Sequence, residues 1–309
     1  MKPIVSTKGS YFIPKYYLPT PSPLLNKHLD NGGIPAGSLM QIMSKGEGTS
    51  KTSAALQMIQ IAQSMGLTCA YIDAEAAMDT KDDEEQKQSW IESFGIDLSQ
   101  LWFVWPNNGE TIWAETHRLI AEEGVQFIVM DSIHAVRPSR EYEKEMGSAS
   151  IGNHAKLHQD GILKVLPLLR AHQAIVCGIN HKRVNMTQQG AMGHNASGGR
   201  SWAFYSKFNF EFSRSTAKSN IGDKDLIPID IYIEKSKGGK SYLTINTHIR
   251  QGKGIDQGSE LLNLAVLEGA IVKSGSWYKH KGDPIGQGTE NASAWCVDNK
   301  ELLCSSISL

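Results

Sequence analysis

Short apolar runs alternate with amphipathic, helix-like stretches between residues 38 and 181. The apolar runs are nearly continuous and read, in order, SLMQIM, TCAYID, LWFVWP, QFIVMDSI and AIVCGIN. Continuous apolar strands separated by helices are typical of a parallel sheet whose two faces are both covered. The pattern therefore predicts an α/β protein built on a mostly parallel central sheet.

Further elements follow from the same pattern. Helices are predicted over residues 24–31, from residue 51 onward, up to about residue 94, and over residues 112–123 and 151–171. Later apolar segments over residues 208–212, 227–233 and 243–249 predict further strands of antiparallel type. Two polar segments, residues 137–151 and 182–199, are predicted as loops, and loops of this length are usually functional or disordered.

Composition divides the chain into three predicted segments. Residues 1–34 are rich in aromatic residues and proline and predict an extended arm that serves oligomerisation. Residues 35–256 contain the alternating strands and helices. Residues 257–309 begin with the helical stretch SELLNLAVLEGA, continue with a segment rich in Gly and Trp, and predict a small C-terminal α/β domain.

Charge and cysteine content narrow the range of functions. Of the 309 residues 40% are hydrophobic and 20% are charged, and the formal net charge of −1 excludes a polycation. Any nucleic-acid site must therefore be a local patch. The four cysteines have no paired spacing, and the chain contains neither a signal-type segment nor an apolar run of about 18 residues. These features predict a protein of the reducing cytoplasm without a membrane partner.

The segment KGEGTSKT, residues 45–52, follows the first apolar run and begins an amphipathic stretch. Backbone N–H groups and the positive end of the helix dipole make such a helix start an anion site. In the pattern G-x-x-x-x-G-K-[ST], Lys51 reaches the β- and γ-phosphates and the Thr52 hydroxyl ligates Mg²⁺. The alternative is an ordinary strand–turn–helix connection with a solvated lysine.

Two positions depart from this phosphate-loop pattern. Lys45 and Ser50 stand where the pattern has glycine, and Gly46 and Gly48 are expected to supply the flexibility instead. Asp131 ends the strand QFIVMD, at the edge where a parallel sheet places its ligands. A helix N-cap formed by Asp131 or Ser132 is the alternative there.

Five segments, in order along the chain, together resemble the RecA family of homologous-recombination ATPases. They are YIDAEAAMD (71–79), FIVMDSIHAV (127–136), GIN with SGGRSWAFYS (178–180 and 197–206), IEKSKGG (233–239) and SGSWYKHKGDPIGQGTENASAW (274–295). The resemblance implies a RecA-like P-loop ATPase core with two DNA-binding loops and a small C-terminal domain. Departures at the phosphate loop and at Asn180 and His181 resemble phage recombinases of the UvsX type.

The resemblance implies roles in ATP hydrolysis. Glu75 polarises the attacking water, Asp131 binds Mg²⁺ through water, and Asp79 contacts the adenine amino group. The aromatic residue that usually stacks on adenine is missing a few residues after Asp79. His181 stands where the family has a γ-phosphate-sensing Gln, and as a neutral imidazole it can donate one hydrogen bond. The remaining ATP contacts are expected from Glu47, Gly48, Thr49, Ser50 and Ser53.

The resemblance also places DNA and a neighbouring subunit around this core. Lys182 and Arg183 are implied phosphate contacts, and Ile151 and Met186 are implied apolar wedges between bases. Ser197, Gly198 and Gly199 allow a close backbone approach to DNA, and Arg200 adds a cation. Lys235 and Lys237 reach the neighbour's γ-phosphate, and Phe204 lies at the subunit interface. The alternative for the second loop is a mobile surface insert. For Lys235 and Lys237 it is a solvated strand edge, and for Phe204 it is a plain core position.

The implied activity is that of an ATP- and Mg²⁺-dependent recombinase. It forms filaments of itself on single-stranded DNA, pairs them with double-stranded DNA and exchanges strands, with DNA-stimulated ATP hydrolysis. Single-strand-binding and mediator proteins are implied partners, in the cytoplasm of a bacterial or phage-infected bacterial cell. Two alternatives are a non-hydrolysing accessory or mediator filament, which retention of Glu75, Lys235 and Lys237 disfavours, and a hexameric helicase, which the C-terminal segment disfavours.

Overall fold

The computed structural model describes residues 12–44, 46, 48–76, 90–142, 152–186, 192–196, 200–215 and 225–306. The strands are β1 (Tyr17–Leu18), β2 (Ile34–Pro35), β3 (Ser38–Ser44), β4 (Cys69–Asp73), β5 (Leu101–Val104), β6 (Phe127–Asp131), β7 (Ile175–Met186), β8 (Met192–Ala196), β9 (Phe208–Arg214), β10 (Leu226–Ser236), β11 (Leu243–Arg250), β12 (Gly254–Ile255), β13 (Ile271–Ser274), β14 (Trp277–His280) and β15 (Asp283–Gln287).

The helices are α1 (Pro23–Asn26), α2 (Lys51–Ser64), α3 (Gly109–Ala121), α4 (Ser139–Tyr142), α5 (Asn153–His172), α6 (Arg200–Tyr205), α7 (Gln257–Leu267), α8 (Gly288–Asp298) and α9 (Lys300–Ser306). Short 3₁₀ turns lie at Asp30–Gly32 and Leu98–Gln100. The predicted helix over residues 24–31 is therefore wrong in its second half. Leu29 is extended and Asn31 has a φ of 54°, a left-handed conformation that Asn tolerates better than most residues but that ends a helix.

The central sheet has the strand order β12-β11-β10-β9-β3-β7-β6-β4-β5. The pairs β3–β7, β7–β6, β6–β4 and β4–β5 are all parallel. The predicted α/β class with a mostly parallel sheet is thus confirmed. The prediction for residues 208–212 holds on one side only, because β9 pairs antiparallel with β10 but parallel with β3.

Burial on both faces explains the continuous apolar runs. Leu39 belongs to one hydrophobic cluster and Met40 to the other, as expected when successive side chains of a strand point to opposite faces. Helix α2 packs on one face and helices α3 and α5 on the other. All residues of β3 and β6 are buried, including the polar residues Ser44 and Asp131 at their carboxyl ends. This edge of the sheet is therefore shielded from solvent at these two positions.

The second predicted loop is wrong as a loop over part of its length. Strand β7 continues to Met186 and pairs antiparallel with β8, from Lys182 opposite Ala196 to Met186 opposite Met192. The backbone ladder satisfies the polar groups of this hairpin, so its strands need no continuous apolar sequence. A polar sequence therefore does not distinguish this hairpin from a loop.

The C-terminal unit is joined to the remainder through a buried carboxylate. Helices α7, α8 and α9 surround the three-stranded sheet β13–β14–β15 and share a small apolar core. Glu260 of α7 accepts hydrogen bonds from the Ser22 hydroxyl at 2.8 Å and the Leu24 N–H at 3.0 Å, and its burial raises the pKa of this carboxyl. None of the helices in the described ranges is long and apolar enough to cross a bilayer.

Candidate active site

The phosphate loop lies between the buried strand β3 and helix α2. Gly48 has a φ of 68° and Ser50 a φ of 57°, so both adopt the left-handed conformation that glycine adopts most readily. The expectation that nearby glycines replace the pattern is thus correct for Gly48, whereas Gly46 is not among the positive-φ residues. Ser50 takes the left-handed conformation at the position where the pattern has glycine.

Lys51 is buried and lies over this loop. Its Nζ donates to the Ser44 hydroxyl at 2.6 Å, and that hydroxyl donates to the Gly46 carbonyl at 2.6 Å. Ser44 thereby links the end of β3, the loop and the lysine. Sequence reasoning did not single out this serine, although its place at the strand's carboxyl end was a usable signal.

Asp131 closes the other side of the site. Its Oδ2 accepts hydrogen bonds from the Thr52 hydroxyl at 2.8 Å and the Tyr71 hydroxyl at 2.7 Å. Burial raises the pKa of Asp131 to about 6, and the nearby Glu75 and Asp73 carboxylates add to this rise, while the two hydroxyls oppose it. Tyr71, which the sequence interpretation did not use, therefore fixes the orientation of this carboxylate.

These groups fit a hydrated Mg²⁺ ion. Thr52 and Asp131 offer hard oxygen atoms within hydrogen-bonding distance of each other, which is the donor chemistry that Mg²⁺ prefers. A divalent cation would also relieve the repulsion between Asp131 and the neighbouring Asp73 and Glu75.

Glu75 is exposed and faces the same cavity. Its Oε1 accepts a hydrogen bond from the Ser132 hydroxyl, while the Ala74 and Glu75 N–H groups both donate to the Asp131 carbonyl. The turn after β4 is thus tied to the end of β6. The cavity measures about 720 Å³, which accommodates a nucleoside triphosphate, and its lining includes Gly48, Lys51, Thr52, Glu75, Asp131, His134, His181 and Lys182.

His181 stands at the edge of a buried row of amides. The Asn180 side chain accepts a hydrogen bond from the His181 N–H at 2.8 Å and donates to Gln41 at 3.2 Å. Gln41 in turn donates to Asn209 at 3.1 Å, so the row crosses β7, β3 and β9. Paired buried amides hold the strand that carries His181 in one position.

Lys182, a predicted DNA phosphate contact, forms ion pairs with two carboxylates. Its Nζ lies 2.6 Å from Glu211 and 2.6 Å from Glu234, and its side chain is only 10% exposed. These hydrogen bonds outweigh the effect of burial and raise the pKa of Lys182. The ammonium group of Lys182 is therefore paired with two carboxylates of the sheet. Lys182 also lines the nucleotide cavity.

The remaining predicted DNA residues are described to different extents. Arg183 and Met186 lie on strand β7, and exposed Arg200 begins helix α6. Glu47, Asp79, Ile151, Ser197, Gly198 and Gly199 lie outside the described residues, so their predicted roles stay predictions.

Phe204 and Lys235 meet at the end of helix α6. The Phe204 side chain is 70% exposed, and Lys235 Nζ donates to the Ala203 and Phe204 carbonyls at 2.7 and 2.9 Å. Burial and the nearby Lys237 charge lower the pKa of Lys235. An exposed aromatic beside two lysines suits a subunit interface better than a core.

Trp90 contacts the turn that leads into strand β12. Its Nε1 donates to the Gly252 carbonyl at 2.9 Å, in the turn between β11 and β12. Gln57 of α2 binds both backbone groups of Ile255 in the adjacent strand β12, each at 2.9 Å. The turn that Trp90 contacts is therefore tied to α2, the helix that begins at Lys51.

A phosphate loop at a helix start, a strand-end carboxylate and a nearby glutamate define a P-loop nucleoside triphosphatase. The RecA N-terminal domain family matches residues 15–256, and the RecA C-terminal domain family matches residues 259–307. The chain belongs to the RecA family. It is a recombinase and DNA-dependent ATPase that uses ATP with Mg²⁺, binds DNA and assembles with itself into filaments.

Individual relatives agree with this assignment. The chain is 32% identical to Protein RecA of Lactobacillus acidophilus over 285 residues, which are 92% of this chain and 76% of the relative. It is 30% identical to Protein RecA of Pseudomonas savastanoi over 271 residues, 88% of this chain and 74% of the relative. A third relative, from Lactobacillus delbrueckii, is 31% identical over 289 residues, with 92% and 83% covered.

The left-handed Ser50 generates a prediction. Ser50→Gly removes the steric cost of a Cβ atom at a φ of 57°, so we expect the free energy of unfolding to rise by about 1 kcal/mol. Chemical denaturation of both proteins measures this difference. Ser50→Ala is the matched control and should bring no such gain, because alanine keeps the Cβ. A less stable Ser50→Gly protein would contradict the prediction.

Proposed function

We propose that ATP binds over the phosphate loop with its phosphates between Lys51 and the Thr52–Asp131 pair. The observation that carries this proposal is the hydrogen bond from Thr52 to Asp131, which joins the start of α2 to the end of β6 beside the cavity. Gly48, Thr49, Ser50 and Ser53 complete the loop and first helical turn, with Glu47 as a further contact. When bound, Mg²⁺ supplies charge neutralisation at the β- and γ-phosphates.

In this proposal Glu75 is the general base. Its carboxylate accepts a proton from water as the water oxygen attacks the γ-phosphoryl group, and ADP leaves. The hydrogen bond from Ser132 to Glu75 holds the base against the strand end that carries Asp131. His181, at the neighbouring strand end, donates to the γ-phosphate and so distinguishes ATP from ADP.

The site is completed by a neighbouring subunit. Lys235 and Lys237 supply positive charge to the neighbour's γ-phosphate in the manner of arginine fingers, with Phe204 at the contact. The exposure of Phe204 and the hydrogen bonds from Lys235 to helix α6 support a role at an interface.

Single-stranded DNA is gripped beside the β7–β8 hairpin. Arg183 and Arg200 contact phosphates, Met186 and Ile151 separate bases, and Ser197, Gly198 and Gly199 bring the backbone close. We assign Lys182 differently from the other basic residues of this segment. Its ion pairs with Glu211 and Glu234 connect strands β7, β9 and β10 at the cavity wall, so we assign it a structural role there.

Trp90 provides the flat apolar surface for the adenine base, with Asp79 at the base's amino group. The Gly252 turn that Trp90 contacts lies along α2, and a Cβ at Gly254 would be 3.2 Å from the Ser53 Cβ. A nucleotide with its phosphates at Lys51 can therefore extend its base along this helix.

The wider setting forms part of the proposal. An arm over residues 1–34 serves oligomerisation, residues 35–256 form the ATPase core, and residues 257–309 form the small C-terminal domain. Single-strand-binding and mediator proteins assist filament assembly, in the cytoplasm of a bacterial or phage-infected bacterial cell. Ser50 in the phosphate loop and His181 at the sensor position support the phage-type variant.

The first prediction tests hydrolysis. Glu75→Gln keeps the shape of the side chain but removes the base, so we expect ATP binding to persist and turnover to fall by about 10²- to 10⁴-fold. Phosphate release with and without single-stranded DNA measures it. Glu122→Gln, an exposed substitution at the end of α3, should retain the wild-type rate. Equal rates in both variants would overturn the assignment of Glu75 and count against a hydrolysing recombinase.

The second prediction tests the base surface. Trp90→Ala should weaken ATP binding about tenfold, since stacking on an aromatic ring contributes roughly 1–3 kcal/mol per base. Trp90→Phe should retain most of the affinity. Inorganic triphosphate, which has no base, should bind all three proteins equally in calorimetry. A parallel loss of triphosphate affinity in Trp90→Ala would show a general structural defect instead.

The third prediction tests the shared site. Lys235→Ala combined with Lys237→Ala should retain nucleotide binding through Lys51 but lose DNA-stimulated hydrolysis and cooperative filament growth. Mixing this protein with Glu75→Gln should restore part of the activity, because some interfaces then join an intact Glu75 to intact lysines. Co-assembly is verified independently by mixed-filament pull-down. Absence of recovery at every mixing ratio would refute an intersubunit site.

A further inference from the structure

A buried indole–imidazole pair connects two helices behind the nucleotide site. Trp202 of α6 and His158 of α5 are both 0% exposed, and Trp202 Nε1 lies 3.0 Å from His158 Nδ1. His158 Nε2 lies 3.2 Å from the Ile133 carbonyl and 3.3 Å from His154 Nε2. The imidazole thus contacts the indole at Nδ1 and both the Ile133 carbonyl and His154 at Nε2.

The chemistry of the partners fixes the protonation of His158. An indole N–H can only donate, so His158 Nδ1 accepts and carries no proton. Its Nε2 then carries the proton and donates to the Ile133 carbonyl. Burial, with a smaller contribution from His154, lowers the pKa of His158 to about 3, so the ring is neutral at physiological pH. One tautomer therefore serves both partners at once.

The pair also touches the two strand ends that carry site residues. Ile133 follows Asp131 by two positions, and its N–H donates to the Ile179 carbonyl at 2.8 Å, two positions before His181. The Trp202 ring lies directly on β7, since a Cβ at Gly178 would be 2.7 Å from ring carbons of Trp202. A displacement of Trp202 would therefore press on β7 and pull on the imidazole.

We propose that His158 is a positioning residue for DNA-stimulated hydrolysis, because it ties helix α6 to the ends of β6 and β7. The inference rests on the proposed function, in which Arg200 and Phe204 of α6 serve DNA and the neighbouring subunit. Helix α5 begins at Asn153, just after the first predicted DNA segment. His158 transmits the position of α6 to the strand ends that carry Asp131 and His181, and touches neither nucleotide nor DNA.

The polar pair has two effects on its surroundings. Buried polar groups cost free energy unless they are paired, and here the indole N–H and the imidazole Nδ1 satisfy each other. The imidazole also supplies the donor for the Ile133 carbonyl, which an apolar pair would leave unpaired. Because hydrogen bonds are directional, the pair fixes the orientations of both rings and the position of the Ile133 carbonyl.

The test compares three variants of the full chain. His158→Leu with Trp202→Phe removes the indole and the imidazole together, so neither of these two groups is left unpaired. The Ile133 carbonyl loses its donor, so the double variant should fold with a melting temperature a few degrees below that of the wild type. His158→Gln is the conservative rescue, because its carbonyl oxygen can accept from the indole and its amide can donate to Ile133. Gln159→Ala, an exposed change on the same helix, is the matched control.

Five quantities are measured on each protein: melting temperature, KM for ATP, hydrolysis without DNA, the stimulation of hydrolysis by single-stranded DNA, and DNA affinity. We expect the double variant to keep its KM and its hydrolysis without DNA and to lose about tenfold in stimulation, a typical size for coupling between sites. DNA affinity by fluorescence anisotropy should stay near that of the wild type. His158→Gln should recover most of the stimulation, and Gln159→Ala should keep all of it.

Two different failures can be told apart. Full stimulation in a folded double variant overturns the positioning role and leaves the proposed function intact. An equal loss of basal hydrolysis and stimulation also overturns it, because this result indicates general damage to the site. A wild-type protein that DNA does not stimulate overturns the proposed function itself, and the inference with it.

Discussion

The burial of the Asp131 carboxylate at the carboxyl end of β6 is the constraint on which the site depends. A buried anion needs partners, and here Thr52 from the phosphate-loop helix and Tyr71 from β4 donate to the same oxygen. These two hydrogen bonds hold the start of α2 and the neighbouring strand around the carboxylate. The parallel register supports them, because Asp73 lies opposite Asp131 and Ser44 opposite His181.

Charge balance explains how the same constraint serves catalysis. Asp131, Asp73 and Glu75 concentrate negative charge at one strand edge, while Ser44 holds Lys51 in the same cavity. Burial is the main reason why the pKa of Asp131 is raised, and without a cation the repulsion from Glu75 and Asp73 adds to this rise. The site is therefore most stable electrostatically when a divalent cation and its phosphate ligands lie between the acids and the lysine.

The sequence predicted the parts of this structure that are set by burial and backbone chemistry. Continuous apolar runs predicted the parallel strands, and Lys-Thr after a glycine-containing turn predicted the phosphate loop, because both signals are local. The β7–β8 hairpin was not predicted, because strands that pair through backbone hydrogen bonds outside the core need no apolar pattern. The ion pairs of Lys182 could not be predicted, because its partners, Glu211 and Glu234, are distant in sequence. The same holds for Trp90, whose contact with Gly252 spans 162 residues.

Two side chains from distant parts of the sequence, His158 and Lys235, contact helix α6. Its Trp202 is held by His158, and the carbonyls at its C-terminal end accept from Lys235. A cation is favoured at that end, where backbone carbonyls lack helical partners. An ammonium has three N–H groups, and within the described part of the chain two of them serve Ala203 and Phe204. The third can meet a neighbour's phosphate without release of α6. In the proposed function a nucleotide at the interface acts on the helix through Lys235 and DNA acts on it through Arg200, so both contacts converge on the six residues of α6.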